Sequence, residues 1–84
     1  MKDLFITFRS VTYAQRGESI LRAAGIPCVL LRTPRWMEEQ GCGYCLRLDR
    51  RNLNRAAELL RKRQVPFRKI YAQGEDGAVQ EVVL

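Results

Sequence analysis

The most reactive side chains of this chain are three cysteines, Cys28, Cys42 and Cys45. Cys42 stands between Gly41 and Gly43, and a glycine on each side leaves a thiol approachable and permits backbone geometries that bulkier residues forbid. A thiolate at such a place could accept sulfur or selenium, exchange disulfides or bind a metal. We therefore expect the chemistry of this protein to centre on Cys42, with an ordinary loop cysteine as the alternative.

Two arginines are candidates to stabilise a Cys42 thiolate. A nearby guanidinium favours thiolate over thiol, and the backbone N–H groups of a glycine-rich turn can face an anion. Arg47 follows Cys42 closely, and the turn Thr33-Pro34 could aim Arg35 toward the same place. The predicted site combines two thiols with groups that give access to the anion or stabilise it: Cys42, Cys45, Gly41, Gly43, Arg35 and Arg47.

The Cys42-x-x-Cys45 spacing is also found in redox proteins. Thioredoxin-like proteins place that motif at a helix N-terminus, which lowers the pKa of the first cysteine, whereas this pair runs from a loop into a predicted strand. A dedicated dithiol oxidoreductase is therefore disfavoured, and a reversible Cys42–Cys45 disulfide is retained as a protective or resolving step. Cys28 lies in apolar company, where a cysteine usually acts as a small hydrophobe.

The composition indicates one small domain. The chain has 84 residues, of which 46% are hydrophobic and 29% charged, close to the globular average. We expect a single domain over 1–84, with its core in 4–73 and a tail in 74–84. The sequence has neither a run long enough to span a membrane nor a secretory signal, so a cytoplasmic location and reduced thiols are expected.

The chain has no histidine. Ser-His-Asp triads and zinc sites that use histidine ligands are therefore excluded. A metal site would need Cys28 to converge with the other two cysteines and a fourth ligand from elsewhere, so we expect no metal. No glycine-rich phosphate loop is present, and no organic cofactor is implied.

The charge balance favours anionic partners. Fifteen Lys and Arg against nine Asp and Glu give a net charge of +6, which suits nucleic acid or acidic proteins. The densest basic stretch, residues 61–69, begins in the last turn of a predicted helix, where cations complement the helix dipole. A solvated basic surface is the simpler interpretation of this stretch.

Hydrophobic periodicity predicts four strands and two helices. Leu4, Ile6 and Phe8 alternate with polar or outward positions, as in a strand with one buried face. The first helix begins near Ser10 or Thr12, with Thr12 and Gln15 as a capping box, and Gly25 ends it. The other predicted elements are the strands Cys28–Arg32, Tyr44–Leu48 and Phe67–Gln73, and a helix after Asp49 with the apolar stripe Leu53, Ala56, Ala57 and Leu60.

The order β-α-β-β-α-β predicts an α+β domain of the ferredoxin-like type. It implies a four-stranded, mainly antiparallel sheet with both helices on one face. Leu46 and Leu48 should face the helices, while Cys45 and Arg47 share the opposite face. The turn Gly74–Gly77 allows Val79–Leu84 to return as a short fifth strand, or to pair with a neighbouring chain in a dimer.

Several short motifs resemble the family of putative selenium/sulfur carrier-like proteins. They are Phe8 at the end of a strand, the helical pattern Ala14, Glu18 and Leu21, then Gly25-Ile26-Pro27, Thr33-Pro34-Arg35 and Cys42-Gly43-Tyr44-Cys45-Leu46-Arg47. Together they cover residues 4 to 72. The resemblance implies a carrier rather than a turnover enzyme, holding a persulfide or perselenide on Cys42. Its implied partners are a donor such as a cysteine desulfurase and an acceptor protein.

Cys45 departs from the family pattern, which has one cysteine here. A second thiol could attack a Cys42 persulfide and release its cargo. The alternative function is a basic module that binds RNA or an acidic protein without thiol chemistry. In that case Phe5 and Tyr44 would lie on the open sheet face and stack bases, as in RNA-recognition modules of the same strand order. A structural role in dimer assembly is the third function class.

Overall fold

The computed structural model of the chain describes residues 3–34 and 43–83. Within these residues it contains two helices and five strands, a mixed α+β architecture. In chain order the elements are β1 (Asp3–Thr7), α1 (Val11–Ala23), β2 (Cys28–Arg32), β3 (Tyr44–Asp49), α2 (Leu53–Lys62), β4 (Ile70–Gln73) and β5 (Val79–Val82). A single 3-10 turn, Arg50–Asn52, joins β3 to α2.

The five strands form one antiparallel sheet in the order β2-β3-β1-β4-β5. This order is compatible with the ferredoxin-like arrangement expected from the sequence, and β5 extends the sheet by one strand. The tail therefore pairs with β4 of its own chain. β1 and β2 end, and β3 and β4 begin, at the same end of the sheet, which we call the hairpin end.

Both helices pack on one face of the sheet, called here the helical face. Its core unites Ala14 and Leu21 of α1 and Ala56 and Leu60 of α2 with sheet residues such as Leu46. The other buried members are Leu4, Ile6, Phe8, Ile26, Cys28, Leu48, Val65, Ile70 and Ala72. The apolar stripe expected on the second helix is thus the surface by which α2 docks on the sheet.

Gly17 allows α1 to approach the sheet closely. A methyl group at this position would lie 3.3 Å from both Leu46 Cδ1 and Phe8 Cζ, and 3.4 Å from Leu60 Cδ2. Glycine inside a helix costs about 1 kcal/mol relative to alanine. Here the residue lets the helix, the sheet and α2 meet at one point.

The helix ends follow local hydrogen bonding. The Ser10 hydroxyl accepts a hydrogen bond from the Tyr13 N–H at 3.2 Å, so Ser10 is the N-cap of α1. The capping box expected from Thr12 and Gln15 is therefore wrong by two residues, because Ser10 already occupies the extended N-cap conformation. At the other end Gly25 has φ +80° and ends the helix as predicted.

The C-terminus of α2 has the same hydrogen-bond pattern as that of α1. In α1 the N–H groups of Gly25 and Ile26 donate to the carbonyls of Arg22 and Leu21. In α2 the corresponding bonds run from Gln64 to Arg61 and from Val65 to Leu60. Both ends are Schellman motifs, and Gln64 takes the left-handed position with φ +60°.

β4 begins at Ile70 rather than at the predicted Phe67. Pairing with β1 nevertheless continues past the strand, since the Arg68 N–H donates to the Thr7 carbonyl and the Thr7 N–H donates to the Lys69 carbonyl. The Thr7 hydroxyl also donates to the Lys69 carbonyl at 3.3 Å. Neither helix in the described part of the chain is long and apolar enough to cross a membrane.

Candidate functional site

The β2–β3 hairpin positions the predicted site. Leu31 pairs with Cys45 and Arg32 with Tyr44. One step further, the Thr33 N–H donates to the Gly43 carbonyl at 2.9 Å. Gly43 has φ +84°, a conformation that residues with a Cβ rarely adopt. The hairpin is therefore held together directly beside the segment that carries the remaining candidate residues.

Three of the six predicted site residues, Arg35, Gly41 and Cys42, lie outside the described residues. Their roles remain predictions. The structure does describe Gly43, Cys45 and Arg47, and it places all three on or beside β3.

Cys45 is fully buried, with 0% of its surface exposed. It lies on the face of the sheet opposite the helices, called here the second face, in a cluster with Phe5 and Tyr71 and against the partly buried Leu31. Direct reaction of this thiol with a second protein would require local opening of the structure around it.

Arg47 shares the second face with Cys45, as the alternation of β3 predicts. It pairs with Phe5 on one side and Val29 on the other, and its side chain is exposed. A guanidinium here adds positive charge on the side of the sheet where Cys45 is buried.

Cys28 is a structural residue of the helical face. Only 5% of it is exposed, and its thiol lies 3.9 Å from the Glu18 carbonyl oxygen. Burial raises the pKa of the Cys28 thiol, and the Arg22 guanidinium opposes part of that shift. Arg22 also donates two hydrogen bonds to the Cys28 carbonyl, at 3.2 and 2.9 Å. The thiol is thus kept neutral and enclosed.

Tyr44 does not lie where RNA binding on the sheet would need it. It packs against the core of the helical face, with the Arg32 guanidinium 5.4 Å from its ring centre. The expectation that Phe5 and Tyr44 share the open face is therefore wrong. Period-two alternation puts Tyr44 on the side of Leu46, opposite Cys45. Phe5 does lie on the second face, but only 5% of it is exposed.

No group of three His, Cys, Asp or Glu side chains within residues 3–34 and 43–83 is arranged to hold a metal ion. Cys28 and Cys45 lie on opposite faces of the sheet, in different clusters. These two thiols therefore do not converge.

A cavity near the hairpin end was not anticipated as a site. Its volume is about 510 Å³, and its walls are Arg61, Gln64, Val65, Pro66, Phe67 and Arg68. The Arg61 guanidinium lies 5.6 Å from the centre of the Phe67 ring. In the sequence, the basic stretch 61–69 was the feature that pointed to this place. Its interpretation as a complement to the helix dipole did not predict that Arg61 would lie beside Phe67.

Comparison with known proteins gives one match. No curated protein and no solved structure matches the chain. The family described as "Putative Se/S carrier protein-like" matches residues 3–72, a span that includes both helices, β1–β3 and most of β4. The protein belongs to this Se/S carrier protein-like family.

Proposed function

We propose that this protein carries sulfur or selenium between partner proteins, as a persulfide or perselenide on Cys42. The observation that carries the proposal is the family match over residues 3–72, which includes position 42. The ferredoxin-like assignment of the fold and a cytoplasmic location belong to the same proposal.

The burial of the other two cysteines supports the choice of Cys42. A carrier thiol must be reached by the donor and then by the acceptor, and only the thiolate is nucleophilic. Cys28 and Cys45 are 5% and 0% exposed, and burial raises the pKa of Cys28. Neither meets these needs in the folded protein.

The loading step is a sulfur transfer without net oxidation. The Cys42 thiolate attacks the outer sulfur of a donor persulfide, a new S–S bond forms on Cys42, and the donor leaves as its thiolate. Selenium transfers in the same way. Arg35 and Arg47 stabilise the anion, and Gly41 and Gly43 give the donor access to it.

Cys45 is the candidate for the release step. Its thiolate would attack the inner sulfur of the Cys42 persulfide, form a Cys42–Cys45 disulfide and expel hydrosulfide. Burial of Cys45 makes this step conditional on local opening of the structure around that thiol. While Cys45 stays buried, the persulfide is retained until an acceptor or a reductant arrives. Such retention suits a carrier better than an enzyme with rapid turnover.

Mass spectrometry tests the proposal. The reduced protein is incubated with a cysteine desulfurase and cysteine, and in parallel with a selenocysteine-using donor and selenocysteine, and the adduct is mapped by peptide. We expect one added sulfur or selenium on Cys42. Cys42→Ser should abolish the adduct, while Cys45→Ala should retain it. An adduct that persists on Cys42→Ser, or no adduct on any cysteine, contradicts the proposal.

A further inference from the structure

The cavity beside α2 continues into a second concavity toward β5. That second space has a volume of about 200 Å³ and shares Arg61, Phe67 and Arg68 with the first. Its additional walls are Lys69, Ile70, Glu81, Val82 and Val83. We call the two together the Arg61–Arg68 groove. It runs from the end of α2, across the start of β4, to the end of β5.

Positive charge dominates the groove. Arg61 and Arg68 line both parts of it, and Lys62 and Arg63 are exposed at the same helix end. The acidic residue in its wall, Glu81, lies 3.8 Å from the Lys69 ammonium and offsets that one charge. A ligand that enters the groove therefore meets an excess of guanidinium groups, which bind carboxylates through two parallel hydrogen bonds.

The groove also has an apolar wall. Val65 is buried, Phe67 is half-buried, and Val83 is 85% exposed at its rim. An exposed valine beside arginines suits a ligand that carries apolar side chains between its acidic groups. A small inorganic anion would leave this wall uncovered.

The aromatic arrangement favours carboxylates over nucleobases. Binding of single strands relies on exposed rings on which bases stack. Phe67 already has the Arg61 guanidinium over its ring, and Phe5 and Tyr71 of the second face are buried. A stacked guanidinium still has its in-plane N–H groups for hydrogen bonds to carboxylates.

The groove lies at the hairpin end of the sheet, close to the start of β3. Thr7 of β1 bonds to Arg68 and Lys69 on one side and pairs with Cys45 on the other. Two strand spacings, about 10 Å, therefore separate the backbone at Lys69 from that at Cys45. A protein held in the groove would sit next to the place where the chain leads back to position 42.

We propose that the Arg61–Arg68 groove is the docking site for an acidic segment, with interspersed apolar side chains, of a protein that exchanges sulfur or selenium with this carrier. The inference rests on the proposed function for the identity of the partner as a donor or acceptor. The chemistry of recognition rests on the groove alone. Docking and transfer are then separate: the groove holds the partner, and Cys42 takes the cargo.

Binding of a defined probe tests the groove. The full chain is titrated against a fluorescein-labelled peptide of alternating Glu and Leu, with a Ser-Leu peptide and an oligouridylate as comparison probes. Arg61→Gln/Arg68→Gln should weaken binding of the acidic peptide by about tenfold or more, since each charge-assisted hydrogen bond is among the stronger polar contacts. Arg16→Gln/Arg50→Gln removes the same charge from exposed positions outside the groove and should leave binding within about twofold.

Folding of each variant is checked by its melting temperature, and Arg61→Lys retains the charge at the groove if the double variant proves unstable. Equal weakening by both double variants would reduce the effect to overall charge and overturn the proposal. Preference for oligouridylate, lost in the groove variant, would overturn it in favour of nucleic acid. Persulfide loading on Cys42 is measured separately, so a failed docking result with normal loading leaves the proposed function standing.

Discussion

The two faces of the sheet bury cysteines by different means. On the helical face Cys28 is enclosed by α1 and contacts Glu18 and Arg22, within a core that includes fourteen of the described residues. On the second face Cys45 is buried in a cluster whose other described members are Phe5 and Tyr71. The described part of the chain places no helix in that cluster. Among the described residues, the neighbours of the Cys45 thiol are thus side chains of adjacent strands rather than of a helix.

This difference indicates that the fold derives most of its stability from the helical face and less from the second face. The helical face unites two helices and four strands, so one lost side chain affects many contacts. The described residues of the second face form a smaller cluster around Cys45.

The largest expected effect comes from two phenylalanines near one another in the chain. Phe8→Ala on the helical face should lower the free energy of unfolding by about 4 kcal/mol, because it leaves a large cavity in the main core. Phe5→Ala on the second face should cost about 3 kcal/mol or less, because its cluster is smaller. Urea unfolding followed by circular dichroism measures both.

Phe8→Leu and Phe5→Leu serve as milder versions if either alanine variant fails to fold, since domains of this size have only about 4–12 kcal/mol of stability in total. Equal losses at Phe5 and Phe8 would remove the contrast between the faces.

The next effect concerns the close approach of α1. Gly17→Val adds side-chain atoms at a position where a Cβ alone would lie 3.3 Å from Leu46 and Phe8. We therefore expect overpacking to lower the free energy of unfolding by about 2 kcal/mol. Gly17→Ala is the matched control, because its gain in helix propensity opposes the tighter contact. The melting temperature is the measurement. A Gly17→Val protein as stable as the wild type would show that α1 is loosely docked.

A smaller effect is expected from the N-caps of the two helices on the helical face. Ser10 caps α1 through its side chain, whereas Asn52 makes no side-chain capping bond to α2. Ser10→Ala should therefore cost about 1 kcal/mol and Asn52→Ala clearly less. Thermal unfolding of the two variants gives the comparison. Similar losses would mean that Asn52 contributes to α2 in another way.

The smallest effect is a pH dependence at the end of β3. Hydrogen bonds from Arg51 lower the pKa of the Asp49 carboxyl. The Arg51 backbone N–H donates to this carboxyl at 2.8 Å, and the Arg51 guanidinium donates to it at 3.1 and 3.2 Å. The stabilisation is therefore present above the ordinary pKa of aspartate and is lost as pH falls through the lowered value. Asp49→Asn should show a shallower loss of melting temperature in acid. An unchanged acid profile would exclude the contribution.

Much of the fold could be predicted from the sequence because single patterns decided it. The bounds of β2 and the end of α1 at Gly25 follow from a Pro-initiated apolar run and a left-handed glycine. Gly17 was not predicted as a contact point, since its role depends on three residues distant in the chain. Tyr44 lies on the helical face because alternation along β3 places it opposite its neighbour Cys45.

The candidate site could be predicted less completely than the fold. The sequence correctly placed Cys45 and Arg47 on one face, because alternation along a strand is a local property. Burial of Cys45 could not be predicted, as it depends on Phe5 and Tyr71 of other strands. The groove could not be predicted for the same reason, because Arg61 and Phe67 meet only after the chain turns at Gln64.

The two helix ends share their hydrogen bonds but differ in the residue at the left-handed position, Gly25 in α1 and Gln64 in α2. A side chain in that conformation stores about 1 kcal/mol or more of backbone strain that glycine avoids. Gln64 lines the groove, so the residue at this strained position is also part of the proposed docking surface. Evolution toward a more stable chain and evolution toward a better docking surface would therefore choose different residues at position 64.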